Sequence, residues 1–230
     1  MLYLGSCRYM RGYKWGFFPG RLHTTREIIF FIENIDKVKH IIDSNPSDLT
    51  NLIFGDIYHP KIKGLSDKYI ESCYKNKNID KLILEISSRR LYYYNTIPLN
   101  KYYTEIYMAN LKAYDFKLVE LSDLEIENDI KYIVELSRRV FNTNIEVHII
   151  PHLNLKSCSI NNYIPKRQEL VRLLESICTK FQIKFHDIGK FLETLHEPDD
   201  EILEVYMNDS RHFSYGYTLV KSFLVDRIYA

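Results

Sequence analysis

Ile79-Asp80-Lys81-Leu82-Ile83-Leu84-Glu85-Ile86-Ser87 (IDKLILEIS, residues 79–87) decides how this chain folds. Leu82, Ile83, Leu84 and Ile86 occupy both faces of an extended strand. The segment is therefore expected to be buried on both sides, as strands of a helix-covered parallel sheet are. Toward the C-terminus, Ser122-x-x-Glu125 forms a capping box. It opens a helix whose apolar stripe is Ile126, Ile130, Ile133, Val134, Val140 and Phe141. Ile145–Ile150 reads as a strand closed by Pro151. Pro165 suits the first turn of a helix with Leu170, Leu173, Leu174, Ile177 and Phe181 on one face. Ile183–Ile188 reads as a further strand ended by Gly189, and Tyr215–Tyr229 as a closing helix. Strand, helix, strand, helix, strand with right-handed crossovers gives a parallel sheet between helices.

Toward the N-terminus, Met1–Leu4 is a short apolar strand ending at Gly5. Thr24-x-x-Glu27 is a second capping box, opening a helix with Ile28, Phe31, Ile32 and Ile35 on one face. Ser66 caps a short helix carrying Tyr69, Ile70 and Cys73. The expected class is α/β, a three-layer α/β/α sandwich with a central parallel sheet, built as one domain over residues 1–230. The tyrosine-rich stretch Leu91–Tyr114 breaks the alternation. It reads as an insertion, with a hairpin made from Tyr92–Asn95 and Tyr102–Met108.

Apolar residues make up 46% and charged residues 27% of the 230, which suits a globular core. A net charge of +1 gives no electrostatic case for nucleic acid. Cys7, Cys73, Cys158 and Cys178 show no Cys-x-x-Cys spacing, so neither a metal nor a cofactor is expected. No charged-then-apolar leader opens the sequence, and no apolar run approaches the ~18 residues of a membrane span. A reduced, cytoplasmic protein without membrane contact is the expectation. Oligomeric state is left open.

The chemistry lies at the two ends. Gly5-Ser6-Cys7 follows the first strand, and ligands bind at the carboxyl edge of α/β sheets. Asp209-Ser210-Arg211-His212 lies on a loop before the last helix. Cys7 or Ser6 would be the nucleophile, His212 its base, and Asp209 the carboxylate that fixes the imidazole's tautomer. His59, before Pro60, could line the pocket, although a surface turn is the commoner place for such a residue. His148 and His152 flank a strand end without a set of metal ligands, and alternation turns His148 toward a neighbouring helix. Glu85, in a buried strand, requires a partner and is a candidate to position Arg89 and Arg90. Those arginines could hold an anionic substrate or a coenzyme phosphate, although surface charge on a loop is the commoner use. Tyr92, Tyr93, Tyr94, Tyr102 and Tyr103 could stack on sugar rings, although packing is the commoner use of such residues.

On these residues the chain resembles the SGNH/GDSL hydrolase superfamily. That superfamily has a nucleophile block after strand one and an Asp-x-x-His before the C-terminal helix. Within it the chain is similar to the GSCFA family, through Gly5-Ser6-Cys7 and through Phe54-Gly55-Asp56-Ile57-Tyr58-His59-Pro60. Arg8-Tyr9 stands where that family's name motif has Phe-Ala. The resemblance implies a flavodoxin-like layered fold with Cys7 at the nucleophile position, Ser6 as the alternative, and His212 and Asp209 completing the triad. A capsular-polysaccharide acyltransferase family similarly has a Cys at this block. Gly55 would be the block-two oxyanion donor. The block-three Gly-x-Asn-Asp is replaced by Ser87-Ser88-Arg89-Arg90, which leaves Ser88 as the substitute donor. The implied activity is acyl hydrolysis or transfer on an ester of a small or carbohydrate-linked substrate, with acyl-CoA a possible donor. The alternative is an inactive relative of the same fold that binds or assembles.

Overall fold

In this computed structural model the described residues are 1–5, 21–37, 40–41, 44, 49, 52–53, 79–155, 164–195 and 216–229. Ser6, Cys7, Gly55, Asp209 and His212 lie outside them, as does the helix expected after Ser66. The elements run β1 (Leu2–Leu4), α1 (Thr25–Glu33), β2 (Lys81–Ile86), β3 (Arg90–Tyr94), β4 (Ile97–Leu99), α2 (Lys101–Tyr107) and β5 (Lys117–Glu120). There follow α3 (Asp123–Val140), β6 (Glu146–Pro151), α4 (Pro165–Phe181), β7 (Lys184–Phe185), α5 (Ile188–Thr194) and α6 (Gly216–Tyr229).

The fold is α/β: a parallel sheet in the order β1-β2-β6-β7, flanked by helices, in keeping with the three-layer class. Leu82, Ile83, Leu84 and Ile86 are fully buried, so β2 is covered on both faces as its sequence requires. β1 pairs with β2 in the register Leu2↔Leu82, Tyr3↔Ile83, Leu4↔Leu84. Among the described residues, those up to Val147 form one compact unit and those from His148 onward a second.

In the first unit, both capping boxes form. Thr24 and Ser122 accept from the backbone N–H of Glu27 and Glu125, whose carboxylates accept in return from the cap residues' N–H. α1 packs against α3, burying Ile28, Phe31 and Ile32 with Ile126, Ile130 and Ile133 in its core. The tyrosine-rich stretch differs from expectation. β3 turns back at once onto β4, in the register Tyr94↔Ile97 and Tyr92↔Leu99, and Lys101–Tyr107 is the helix α2. Two local causes account for this. Asn95 takes a left-handed φ of 53°, a conformation asparagine tolerates, so the chain reverses in two residues. Asn100 then accepts from Tyr103 N and caps α2, with the Lys101–Glu105 pair one turn along. Pro98, which has no N–H to donate, sits on the edge strand of the antiparallel sheet β4-β3-β5.

In the second unit, Pro165 opens α4 at its first turn, as expected. The strand expected over Ile183–Ile188 is only Lys184–Phe185. Asp187 cuts it short by accepting from Lys190 N at 3.0 Å and so capping α5. Gly189 consequently lies inside α5 rather than ending a strand. A Cβ there would stand 3.1 Å from the Asn154 carbonyl oxygen.

α4 ends at Gln182 in the left-handed region, φ 57°, where glycine is the favoured residue. Gln182→Gly is expected to stabilise the protein by about 0.5 kcal/mol. The denaturant midpoint reads this out: it should rise with unchanged slope.

Candidate functional site at the carboxyl edge of β1 and β2

Gly5 is the last described residue of the first segment, and its place is tightly determined. A Cβ on it would stand 2.5 Å from Glu85 Cβ and 2.7 Å from the Tyr3 hydroxyl. Tyr3, fully buried on β1, folds over the glycine and donates to Glu85 Oε2 at 2.5 Å. Glu85 is itself fully buried on β2, so the phenol supplies a partner that a carboxyl in this position requires. Arg89 pairs with Asp123, and Arg90 Nε lies 2.6 Å from Glu120 Oε2, so both arginines are engaged in ion pairs. Gly5→Ala is expected to destabilise the protein by about 1–3 kcal/mol through overpacking against the Glu85 stem. Thermal unfolding measures this; an unchanged midpoint would contradict the close approach.

The segment Arg21–His23 crosses the ends of both strands. Leu22 N donates to Gly5 O at 3.1 Å, and Gly5 bridges Arg21 in parallel fashion. His23 O accepts from Ser87 N and Ser88 N, each at 3.0 Å, just beyond β2. Ser88 Oγ accepts from Arg90 N at 2.9 Å and donates to Arg90 O at 3.0 Å, so its proton is held in a local turn.

Beneath this segment lies Glu27. Its Oε2 accepts from Thr24 N at 2.9 Å, Thr24 Oγ1 at 2.7 Å and His23 N at 3.3 Å. Its Oε1 accepts from Asn100 Nδ2 at 3.3 Å, and the same amide donates to Arg21 O at 2.9 Å. Burial outweighs all these donors and raises the Glu27 carboxyl from 4.5 to about 7. The twin capping box shows that burial decides the sign. Glu125 makes the same two cap bonds with its side chain 46% exposed, and its carboxyl is lowered, chiefly by the Ser122 hydroxyl. Glu27 is only 3% exposed.

Two further groups border this cluster. Arg21 lies over the Tyr103 ring, 5.3 Å from its centroid. Asp129 accepts from Thr25 Oγ1 at 2.6 Å and from Arg26 Nε at 2.7 Å, and burial raises its carboxyl above the ordinary range.

The second unit holds a polar pair of its own. His148 Nδ1 and His186 Nε2 lie 2.9 Å apart, their rings 15° from parallel. The His148 ring meets the histidine that follows β7. Burial, then His148, Arg227 and Lys184, depress the His186 imidazole to about 4. The His186 imidazole is therefore neutral near pH 7. Among the described residues no group of three or more His, Cys, Asp or Glu is arranged to hold a metal ion. No described helix is long and apolar enough to cross a membrane.

Of the residues singled out from sequence, Ser88 and Glu85 fall in this cluster with Gly5. Glu27, Asn100 and His186 were missed as site groups. Glu27 carried a signal: it lies four residues before Phe31, on the apolar stripe of α1. Comparison with family models, curated proteins and solved structures finds no match.

A carboxyl raised by folding favours the folded state only while protonated. Stability from Glu27 is therefore complete below about pH 4.5 and declines as pH rises to about 7, by a total on the order of 3 kcal/mol. Unfolding free energy measured across that range should show the decline in the native chain and lose it in Glu27→Gln.

Proposed function

We propose that the chain is an SGNH-like acyl hydrolase or acyltransferase acting on an ester of a small or carbohydrate-linked substrate. The observation that supports this most is Gly5. It closes β1 in a parallel pair, packed too tightly for any side chain, and the sequence continues directly into Ser6-Cys7. The carboxyl edge of such a sheet is where α/β proteins bind ligands.

In this reading Cys7 is the nucleophile, with Ser6 the alternative. The Cys7 thiolate attacks the acyl carbonyl and a thioester forms, while the alcohol departs with a proton from His212. Water or an acceptor hydroxyl then attacks the thioester and His212 takes its proton; the acid or new ester leaves, and the Cys7 thiolate is regenerated beside the His212 imidazolium. With acyl-CoA as donor the first leaving group is the coenzyme thiol. Asp209 orients His212. Gly55 N–H and the Ser88 hydroxyl donate to the oxyanion, the latter by turning away from Arg90 O. A nucleophilic thiol stays reduced in the cytoplasm, where we place the reaction.

A second reading, an inactive protein of the same fold that binds or assembles, is favoured by Ser88. Its hydroxyl is bonded in both directions to the Arg90 backbone, and no Asn block replaces it.

Labelling with a thiol-directed electrophile, mapped by mass spectrometry, tests the catalytic reading. Cys7 should be modified first, and His212→Ala should slow this by at least ~10-fold, given a general base's usual contribution. Cys7→Ala should abolish turnover of model esters; full turnover in both Cys7→Ala and Ser6→Ala would overturn the assignment.

A further inference from the structure

We propose that Glu27 and Asn100 are positioning residues of this site: through the segment Arg21–His23 they hold together the carboxyl ends of β1 and β2. The proposal rests on the catalytic reading above, in which the nucleophile directly follows Gly5.

The bonds form one continuous set. On the inner side Asn100 Nδ2 donates to Arg21 O, and Glu27 Oε2 accepts from His23 N. On the outer side Leu22 N donates to Gly5 O, while His23 O accepts from Ser87 N and Ser88 N. A chain of three residues is thus gripped from below and itself grips both strand ends. Asn100 is held in turn: it is fully buried, its Oδ1 caps α2, and its carbonyl accepts from Thr104 Oγ1 at 2.8 Å.

Capping alone does not explain why Glu27 is buried. Ser122 and Glu125 make the same box at the surface, without the cost of desolvating a carboxyl. What Glu27 does in addition is bind His23 N and Asn100. The ionisable groups on the surrounding elements include Arg26 of α1, Tyr93 of β3, Tyr103 of α2, Glu125 and Asp129 of α3, and Arg21 and His23 of the segment itself. Tyr93 is itself raised, mostly by burial, with Arg26, Asp129, Glu125 and Glu27 acting on it.

Amide hydrogen exchange of the full chain, read at Leu22, Ser87 and Ser88, tests the proposal together with the alkylation rate of Cys7 by iodoacetamide. Glu27→Ala and Asn100→Ala should each lower protection at the three amides by at least ~10-fold, the equivalent of one lost buried hydrogen bond. The same variants should slow alkylation of Cys7. Glu125→Ala, in the exposed box, should change neither. In the native chain, protection at these amides should fall by at least ~10-fold between about pH 5 and about pH 7.5, while that of α4 does not. Glu27→Gln should keep the protection and remove its pH dependence. If Glu27→Ala fails to fold, Asn100→Ala and Glu27→Gln give the same readouts. Unchanged protection in Glu27→Ala and Asn100→Ala overturns the proposal, as does lost protection with undiminished alkylation. Failure of the catalytic reading appears separately, as full turnover in both Cys7→Ala and Ser6→Ala whatever the exchange result.

Discussion

A carboxyl group kept out of water, Glu27, is the constraint on which the sheet edge depends. Four donor groups converge on it: Thr24 N, Thr24 Oγ1, His23 N and Asn100 Nδ2. They are still outweighed by burial, so the group titrates near neutrality. The arrangement is costly to build, and its return is geometric. The segment above it links two parallel strands at their carboxyl ends, and Gly5 leaves no gap between β1 and Glu85. Backbone held this closely in a buried environment gives the chain beyond Gly5 a defined starting point.

The second unit solves a similar problem differently. Two buried imidazoles meet through one hydrogen bond between His148 Nδ1 and His186 Nε2. Beside them Phe191 and Phe223 stack with ring centroids 4.0 Å apart, joining α5 to α6. Where Glu27 carries an extra proton at mild acidity, the His186 imidazole resists taking one. The contributions of these two groups to stability therefore decline in opposite directions of pH.

Much of the framework was legible in the sequence because its signals are local. Thr24/Glu27 and Ser122/Glu125 form the capping boxes that their spacing announces, Pro165 opens α4, and the IDKLILEIS strand is buried on both faces. Errors arose where a short-range competitor overrode a periodic pattern. Asn95 reversed the chain sooner than the tyrosine pattern implied, and Asp187 turned the end of an apolar run into a helix cap. Burial of a capping carboxylate was beyond the motif itself, since Glu27 and Glu125 share one capping box; the residue four positions on, Phe31 against Asp129, sets them apart in sequence. Asn100 and His186 meet their partners through tertiary contacts 73 and 38 residues away in sequence, which no local pattern encodes. Cys7, Ser6, His212, Asp209 and Gly55 remain sequence-based assignments, outside the described residues.

The Cδ chemical shift of Glu27, followed by carbon-13 NMR against pH, measures the central constraint directly. The account predicts a titration midpoint near 7, well above the ordinary 4.5. A midpoint close to 4.5 would mean that the carboxyl is solvated and that the edge of the sheet is held by something else.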